Sequence, residues 1–479
     1  MMNKILAVTI ALAVSLAGGC TLAPEYTRPE APVPDTWPTG AAYEGVRDDN
    51  APPPAELAWR DFLVDPKLRT VVETALANNR DLRLAALNVE RARALYDIQR
   101  SELYPAIDAF AAGGEQRVSA DFTAPGQPRT LEQYSVDLGA VAWELDFFGR
   151  IRSLKAEALE GYLATEQARR GARILLVSSV TDAYLTLAAG REALTLAQRT
   201  FQTQHEAFEL VKRRYDLGVA TELDLRRAQT PVEIARGDIA RYTRLAAQAD
   251  NALRLLVGAP VAVELLPDAL SEIAPPADLS TGVASDVLLG RPDIVAAEHR
   301  LKAANARIGA ARAAFFPRIT LTTTIGTASG ELSDLFASGT DTWRYGPQIV
   351  MPIFDPRTWA AHRASKVERD LAVAEYDKAI QTAFREVADA LAVRGTVDEQ
   401  VAAQEALVDA LAETYRLALA RFDKGVDSYL GVLDAQRSLF DAQQILVSLR
   451  LLQRTSQIRL YAVLGGGGQE DAPGAISQR

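Results

Sequence analysis

"RRYDLGVATELDLRRAQ", residues 213–229, breaks a long helical run at Leu217-Gly218-Val219 and restarts it with Thr221 as an N-cap. The same design returns in "LARFDKGVDSYLGVLDAQ", residues 419–436. Adding 207 carries Tyr215 to Phe422, Gly218 to Gly425, Val219 to Val426, Leu223 to Leu430 and Gln229 to Gln436. One glycine turn between helices is ordinary. Two at a fixed offset make the turn part of a duplicated unit.

The duplication extends outward from the two turns. "NNRDLRLAALNVERARALYDIQRSELYPAI" (78–107) matches "GRPDIVAAEHRLKAANARIGAARAAFFPRI" (290–319) at an offset of 212, taking Asp81 to Asp293, Ala92 to Ala304 and Pro105 to Pro317. After "DFFGR" and "IFDPR" the offset is 207, and it holds from Val180/Val387 and Asp182/Asp389 to Gly258/Gly465. The chain therefore divides into repeat 1 (59–270) and repeat 2 (271–464), with Pro275-Pro276 close to the join.

Each repeat reads as helix, two strands, very long helix, turn, long helix. The first helix ends at Tyr104-Pro105 or Phe316-Pro317, because a residue before proline leaves the helical region. Alternation then marks strand hairpins at about 106–146 and 318–354. Tyr134, Val136, Leu138, Ala140 and Ala142 share one face, as do Ile319, Leu321 and Ile325. From Phe148 to Gly218 and from Phe354 to Gly425, continuous helix at 1.5 Å per residue would reach roughly 100 Å. The return helix of repeat 1 carries Leu225, Ala228, Val232, Ala235, Ile239, Tyr242, Ala246, Ala249, Leu253 and Leu256 at 3-4 spacing, a coiled-coil seam. Repeat 2 carries a matching seam from Val432 to Val463. The two glycine turns are the tips of antiparallel helical hairpins.

The termini read differently. Residues 1–19, with Lys4, an apolar run from Ile5 to Ala17 and small residues before Cys20, have the pattern of a signal peptide. They resemble a bacterial lipoprotein signal with Cys20 as the lipidated first residue and Thr21 directing it to the outer membrane. An ordinary secretory signal with an unmodified Cys20 stays open. Residues 20–58 are proline-rich and read as a lipid anchor with an extended leader; residues 465–479 read as a disordered tail. As the single cysteine, Cys20 allows no internal disulfide.

The balance of 52 Lys+Arg against 62 Asp+Glu leaves a net charge of −10 and no basic footprint for nucleic acid. His205, His299 and His362 have no motif around them, and HExxH, GxSxG and P-loop patterns are absent. No enzyme, cofactor or metal site is expected.

Four amphipathic strands pose a closure problem. In a bilayer no strand edge stays unpaired, and known bacterial barrels begin at about eight strands. Three chains would supply twelve. The alternative is a pair of water-soluble hairpins capping a coiled-coil body.

From "CTLAPEYTRP" to "LYAVLGGG" the chain resembles the outer membrane factors, the TolC-like channel family, and especially their OprM-like lipoprotein branch. "GVATELDLRRAQT" and "GVDSYLGVLDAQRSLFDAQQ" carry the resemblance most specifically. It implies a mainly α protein with a membrane β-barrel: a homotrimer whose twelve-stranded outer-membrane barrel continues into a long periplasmic α-helical barrel. It also implies a passive exit duct for drugs or other small molecules, fed by an inner-membrane resistance–nodulation–division (RND) pump through a periplasmic adaptor protein. A duct for type I protein secretion and a soluble periplasmic scaffold are the alternatives.

Two sets of positions follow. Leu217, Gly218, Val219, Gly425 and Val426 form the tips, where the valines offer small apolar contacts to an adaptor. Leu430 and Asp434 are an i, i+4 pair pointing away from the seam residues Val432 and Ala435. In the resembled family, matching positions form the constriction at the periplasmic end, which makes this pair the expected gate. Repeat 1 has Leu223 and Arg227 there, so the repetition is broken at the charged position.

Overall fold

The computed structural model describes residues 21–44, 57–279 and 285–467. The signal segment 1–19, Cys20, the Pro52-Pro53-Pro54 run and tail residues 468–479 lie outside the described residues.

After an extended leader and one helical turn at Trp59–Phe62, the main elements are α1 (Pro66–Asn78), α2 (Arg80–Ser101), β1 (Asp108–Arg117), β2 (Thr130–Glu144), α3 (Arg150–Asp216) and α4 (Glu222–Val257). They are followed by α5 (Pro292–Ala313), β3 (Arg318–Ser329), β4 (Asp341–Val350), α6 (Pro356–Asp423) and α7 (Tyr429–Val463). Two compact units result. The first holds Asn88–Glu166 and Ala296–Tyr376 with the leader up to Glu30; the second holds Ala31–Leu87, Gln167–Val295 and the chain from Asp377 onward. Neither unit is one repeat: each takes parts of both.

The first unit is built on one antiparallel sheet in the order β1-β2-β3-β4. Directly paired residues share a face. One row runs Ala109–Leu138–Ile325–Trp343, and the next runs Asp108–Gly139–Thr324–Arg344. An apolar row thus lies beside a polar one across all four strands; toward the loop ends the faces mix, with Asp341 opposite Thr327 on the first face and Phe110 opposite Asp137 on the second. Leu138, Ile325, Trp343 and Tyr345 are exposed in the single chain, and both β1 and β4 are open edges. The face expected from alternation holds as far as Ala140 and then changes. A bulge between Ala140 and Trp143 inserts one residue, Ala142 takes φ 55°, and Trp143 rather than Ala142 comes opposite Leu321.

Helices α2 and α5 end at Ser101 and Ala313, short of the Tyr104 and Phe316 that the proline rule selects. The intervening residues form tightened i→i+3 turns: Tyr104 N–H donates to the Ser101 carbonyl (2.9 Å) and Phe316 N–H to the Ala313 carbonyl (3.1 Å). Such turns satisfy carbonyls that a helix end leaves unpaired.

In this unit the leader is held against α5. Arg28 Nη2 donates to Glu298 Oε2 (2.7 Å), Tyr26 Oη to Glu298 Oε1 (3.1 Å), and Asn305 Nδ2 to the Pro24 carbonyl (2.8 Å). Glu298 is buried and also meets Lys302 Nζ at 3.0 Å. Close approach needs Gly309, since a Cβ there would lie 2.7 Å from the Ala23 nitrogen.

The second unit is helical. Along α4 the buried residues Ala228, Val232, Ala235 and Leu253 mark the seam, and α7 buries Val432, Ala435, Ala442 and Leu446 in the same way. Helix α7 also buries Gln436, Val447 and Ile458, a second row spaced by 11, so it is covered more widely than a single seam requires. Val397 and Val401 of α6 pack with Leu446, closing that hairpin. Arg291 is the polar hub: Nη2 meets Asp293 (2.7 Å) and Glu386 (2.8 Å), and Nη1 caps the Val463 carbonyl (2.7 Å).

Asp182 of α3 and its repeat counterpart Asp389 have opposite settings. Asp389 is exposed and lies 4.0 Å from Arg385, whereas Asp182 has a buried Oδ1 without a hydrogen-bond partner. Burial pushes Asp182 up to about 6, against a weaker opposing pull from Arg459. A carboxyl raised in the fold binds its proton more tightly there than in the unfolded chain, so its ionisation subtracts stability as pH rises through about 6. Asp182→Asn should therefore raise the thermal midpoint of the purified protein at pH 8, by an amount equivalent to about 1–2 kcal/mol, and leave it unchanged near pH 4. Equal midpoints at both pH values would refute the assignment.

Candidate functional site

The tips are built by one backbone device used twice. Gly218 has φ 73°; its N–H donates to the Tyr215 carbonyl and Val219 N–H to the Arg214 carbonyl, each at 2.8 Å. Gly425 has φ 71°; its N–H donates to the Phe422 carbonyl and Val426 N–H to the Arg421 carbonyl, each at 2.9 Å. This paired bonding closes a helix around a left-handed residue, which is why glycine stands at both positions. A Cβ at either glycine would meet nothing within 4 Å, so a larger residue is opposed by backbone strain alone, about 1–2 kcal/mol.

The restarting helices differ. At α4, Asp224 N–H donates to Thr221 Oγ1 (3.2 Å) and Thr221 N–H to Asp224 Oδ2 (3.1 Å), a reciprocal capping box. At α7, Ser428 makes no side-chain cap. Repeat 2 uses an Arg421–Asp427 ion pair instead, and Arg421 holds the Asp427 carboxyl below its ordinary range. Phe422 and Tyr429 pack with ring centroids 5.0 Å apart, and burial pushes Tyr429 up to about 12. The Arg214 guanidinium lies 5.6 Å from the Phe422 ring centre, bringing the end of α3 beside the end of α6. Leu217, Val219 and Val426 stand out into solvent, 79%, 66% and 61% exposed.

Leu430 and Asp434 also face outward, while Val432 and Ala435 are buried. Asp434 is not a bare charge: Arg437 Nη2 reaches its Oδ1 at 2.7 Å. That i, i+3 spacing is legible in the sequence, yet the expected gate left Arg437 out. Leu430, Asp434 and Arg227 line a common groove with Gln204 of α3 and Pro231 of α4. Thus the broken pair of the repeat, Arg227 and Asp434, is brought into one place. Gln204 escapes sequence reasoning because a glutamine inside a helix carries no pattern; Pro231, inside a continuous 36-residue helix, is a legible signal. Among the described residues no group of three or more His, Cys, Asp or Glu side chains is placed to hold a metal ion.

Further uncovered apolar surface lies on the helices next in sequence to the edge strands. Helix α2, which leads into edge strand β1, has no buried residue and exposes Leu95 and Ile98. Helix α6, which follows edge strand β4, exposes Trp359, Val367 and Leu371 on one face.

Comparison with known proteins gives one answer. The model of a family described as outer membrane efflux protein matches residues 71–259 and 283–466. The toluene efflux pump outer membrane protein TtgC of Pseudomonas putida is 47% identical over 471 residues, covering 98% of this chain and 97% of that one. A crystal structure of a membrane protein from Pseudomonas aeruginosa superposes with a TM-score of 0.87 at 42% identity, covering 94% of this chain and 98% of that one. The open state of the Neisseria gonorrhoeae MtrE outer membrane channel gives 0.84 at 37% identity, with coverages of 94% and 99%.

Proposed function

The chain belongs to the outer membrane efflux protein family, and on that premise we propose that it is the outer-membrane channel of a tripartite efflux system. It has the TolC-like fold and resides in the outer membrane. Its work is passive: a duct for drugs or other small molecules. The family and its relatives are efflux channels, and energy enters elsewhere in the system.

The observation that carries this reading is a four-stranded sheet with the exposed apolar row Ala109–Leu138–Ile325–Trp343 and two open edges, joined in sequence to helices of 67 and 68 residues. A single chain leaves those edges without partners, which no bilayer-spanning sheet tolerates. Three copies closing edge to edge supply a twelve-stranded wall, and the stripes on α2 and α6 meet between neighbouring copies. The exposed tips at Leu217, Gly218, Val219, Gly425 and Val426 suit an adaptor's helical hairpin, and an RND pump of the inner membrane completes the path. Leu430 and Asp434 form the periplasmic gate. Cys20 is the proposed acyl-bearing residue.

Deleting the gene should sensitise cells to apolar drugs several-fold, and the wild-type gene should restore resistance. Gly425→Val should fail to restore it although trimer and membrane levels stay normal, because the strained turn displaces Val426 from its partner. Fatty-acid labelling of wild type against Cys20→Ala reads the anchor in the same cells. Full resistance and unchanged adaptor crosslinking with Gly425→Val would remove the tips from the docking surface.

A further inference from the structure

We infer that β4 of one copy pairs with β1 of the next in a single register, with Asp341 opposite Arg117 at one end and Val350 opposite Asp108 at the other. This pairing rests on the channel reading above and specifies which residues make its seam.

The hydrogen-bond phase of the two edges is the first constraint. Val118 N–H donates to the Arg129 carbonyl (2.7 Å), extending the ladder of β1 and β2 by one residue, so the even-numbered residues of β1 bond inward to β2. Ala328 N–H donates to the Thr340 carbonyl (2.9 Å), so the even-numbered residues of β4 bond inward to β3. Both strands therefore turn outward the backbone groups of their odd-numbered residues. Pro347 is among these, where its missing N–H breaks no bond within its own sheet. An antiparallel seam sets such residues directly opposite each other. Ala109 on β1 and Trp343 on β4, both odd, belong to one row and one face, so bonding and facing demand the same parity.

Parity leaves registers two residues apart, and three observations choose among them. β1 and β4 are both 10 residues long, so one register pairs them end to end, and a slip of two in either direction shortens the seam. End-to-end pairing sets Asp341 against Arg117, whereas a slip one way sets it against Glu115, like charges directly opposite. A slip the other way is opposed by barrel geometry. In the end-to-end register the row Ala109–Leu138–Ile325–Trp343 leaves one copy at Trp343 and enters the next at Glu115, six residues along β1 from Ala109. Three copies then accumulate a stagger of about 18 residues over twelve strands. At about 3.4 Å rise and 4.8 Å spacing that is a tilt of about 45°. The slipped register raises the stagger to about 24 and the tilt to about 55°, beyond the roughly 35–45° of known barrels. The chosen register also places Tyr345 of the next copy opposite Gly113. A Cβ at Gly113 would lie 2.9 Å from the Tyr134 ring, so aromatic rings cover this edge glycine from both sides.

Full-length protein in outer membranes tests the register through paired cysteines, Cys20 being the single native one. Gln348 and Phe110 fall directly opposite at a non-hydrogen-bonded site, where Cα atoms lie about 4.5 Å apart and a disulfide closes readily. Gln348→Cys with Phe110→Cys, oxidised in the membrane, should give a trimer that survives denaturing electrophoresis and falls apart on reduction. Gln348→Cys with Asp108→Cys, or with Ala112→Cys, reports the two slipped registers. Those Cα atoms lie about 7–8 Å apart, so crosslinking should be about tenfold slower or less. Single-cysteine variants supply the blanks. Faster crosslinking through Asp108→Cys or Ala112→Cys, or no covalent product from trimers that do assemble, would overturn the register. Absence of trimers from wild type as well would overturn the closure itself, so the two failures are separable.

Discussion

Val367→Arg with Leu371→Arg leaves the protein unable to assemble: the expected species is a monomer that neither inserts in the outer membrane nor supports efflux. Both side chains are more than half exposed in the single chain, on the face of α6 that follows the open edge β4. Burying each apolar side chain against a neighbour is worth about 1.5–3 kcal/mol, and threefold symmetry repeats the gain at every interface. An unpaired guanidinium forced into the same place reverses the sign. Leu371→Met keeps volume and apolarity and should assemble normally. Crosslinking, and electrophoresis with and without heating, read the result directly. Trimers of wild-type abundance in the double arginine variant would show that this stripe faces something other than a second copy.

The proposed gate at Leu430 and Asp434 should respond nearly as strongly. Three Asp434 side chains around a narrow passage would attract cations, as carboxylate rings do in channels. Each is accompanied by Arg437 at 2.7 Å, an exposed pair that contributes about 0–1 kcal/mol and so trims the charge without fixing the helix. Asp434→Ala then removes the acid and leaves its arginine behind, moving the ring toward anion preference. Leu430→Ala removes the apolar side chain beside it and widens the passage. The double change should raise single-channel conductance most and admit large antibiotics such as vancomycin to the cell. Recordings from purified trimers decide the matter. Wild-type conductance and ion selectivity in Asp434→Ala would make Asp434 ordinary surface charge.

Much of this architecture is legible in the sequence because the features that build it are periodic. The glycine of each tip, the 3-4 spacing from Leu225 to Leu256, and the alternation from Tyr134 to Ala140 each repeat a local rule that tertiary packing has no reason to overturn. The departures occur where a rule is broken once. A bulge hands the place of Ala142 to Trp143, and nothing in "GAVAWEL" announces an extra residue. The site is less legible than the fold. Leu430 and Asp434 stand out against their seam, but Gln204 acquires meaning only when α3 is laid beside α4 and α7, a juxtaposition of segments far apart in the chain.

The open edges of the sheet also have a genetic consequence. A subunit that cannot complete its own wall shares the fate of its neighbours, so a defective copy does not simply drop out of the population. One whose β1 edge pairs while its β4 edge does not would be recruited and would then leave the ring unsealed. Mixed with intact subunits, it spoils every assembly it enters, and the intact fraction falls as the cube of the healthy share. Edge lesions should therefore behave as dominant alleles, whereas lesions that prevent folding altogether should be recessive.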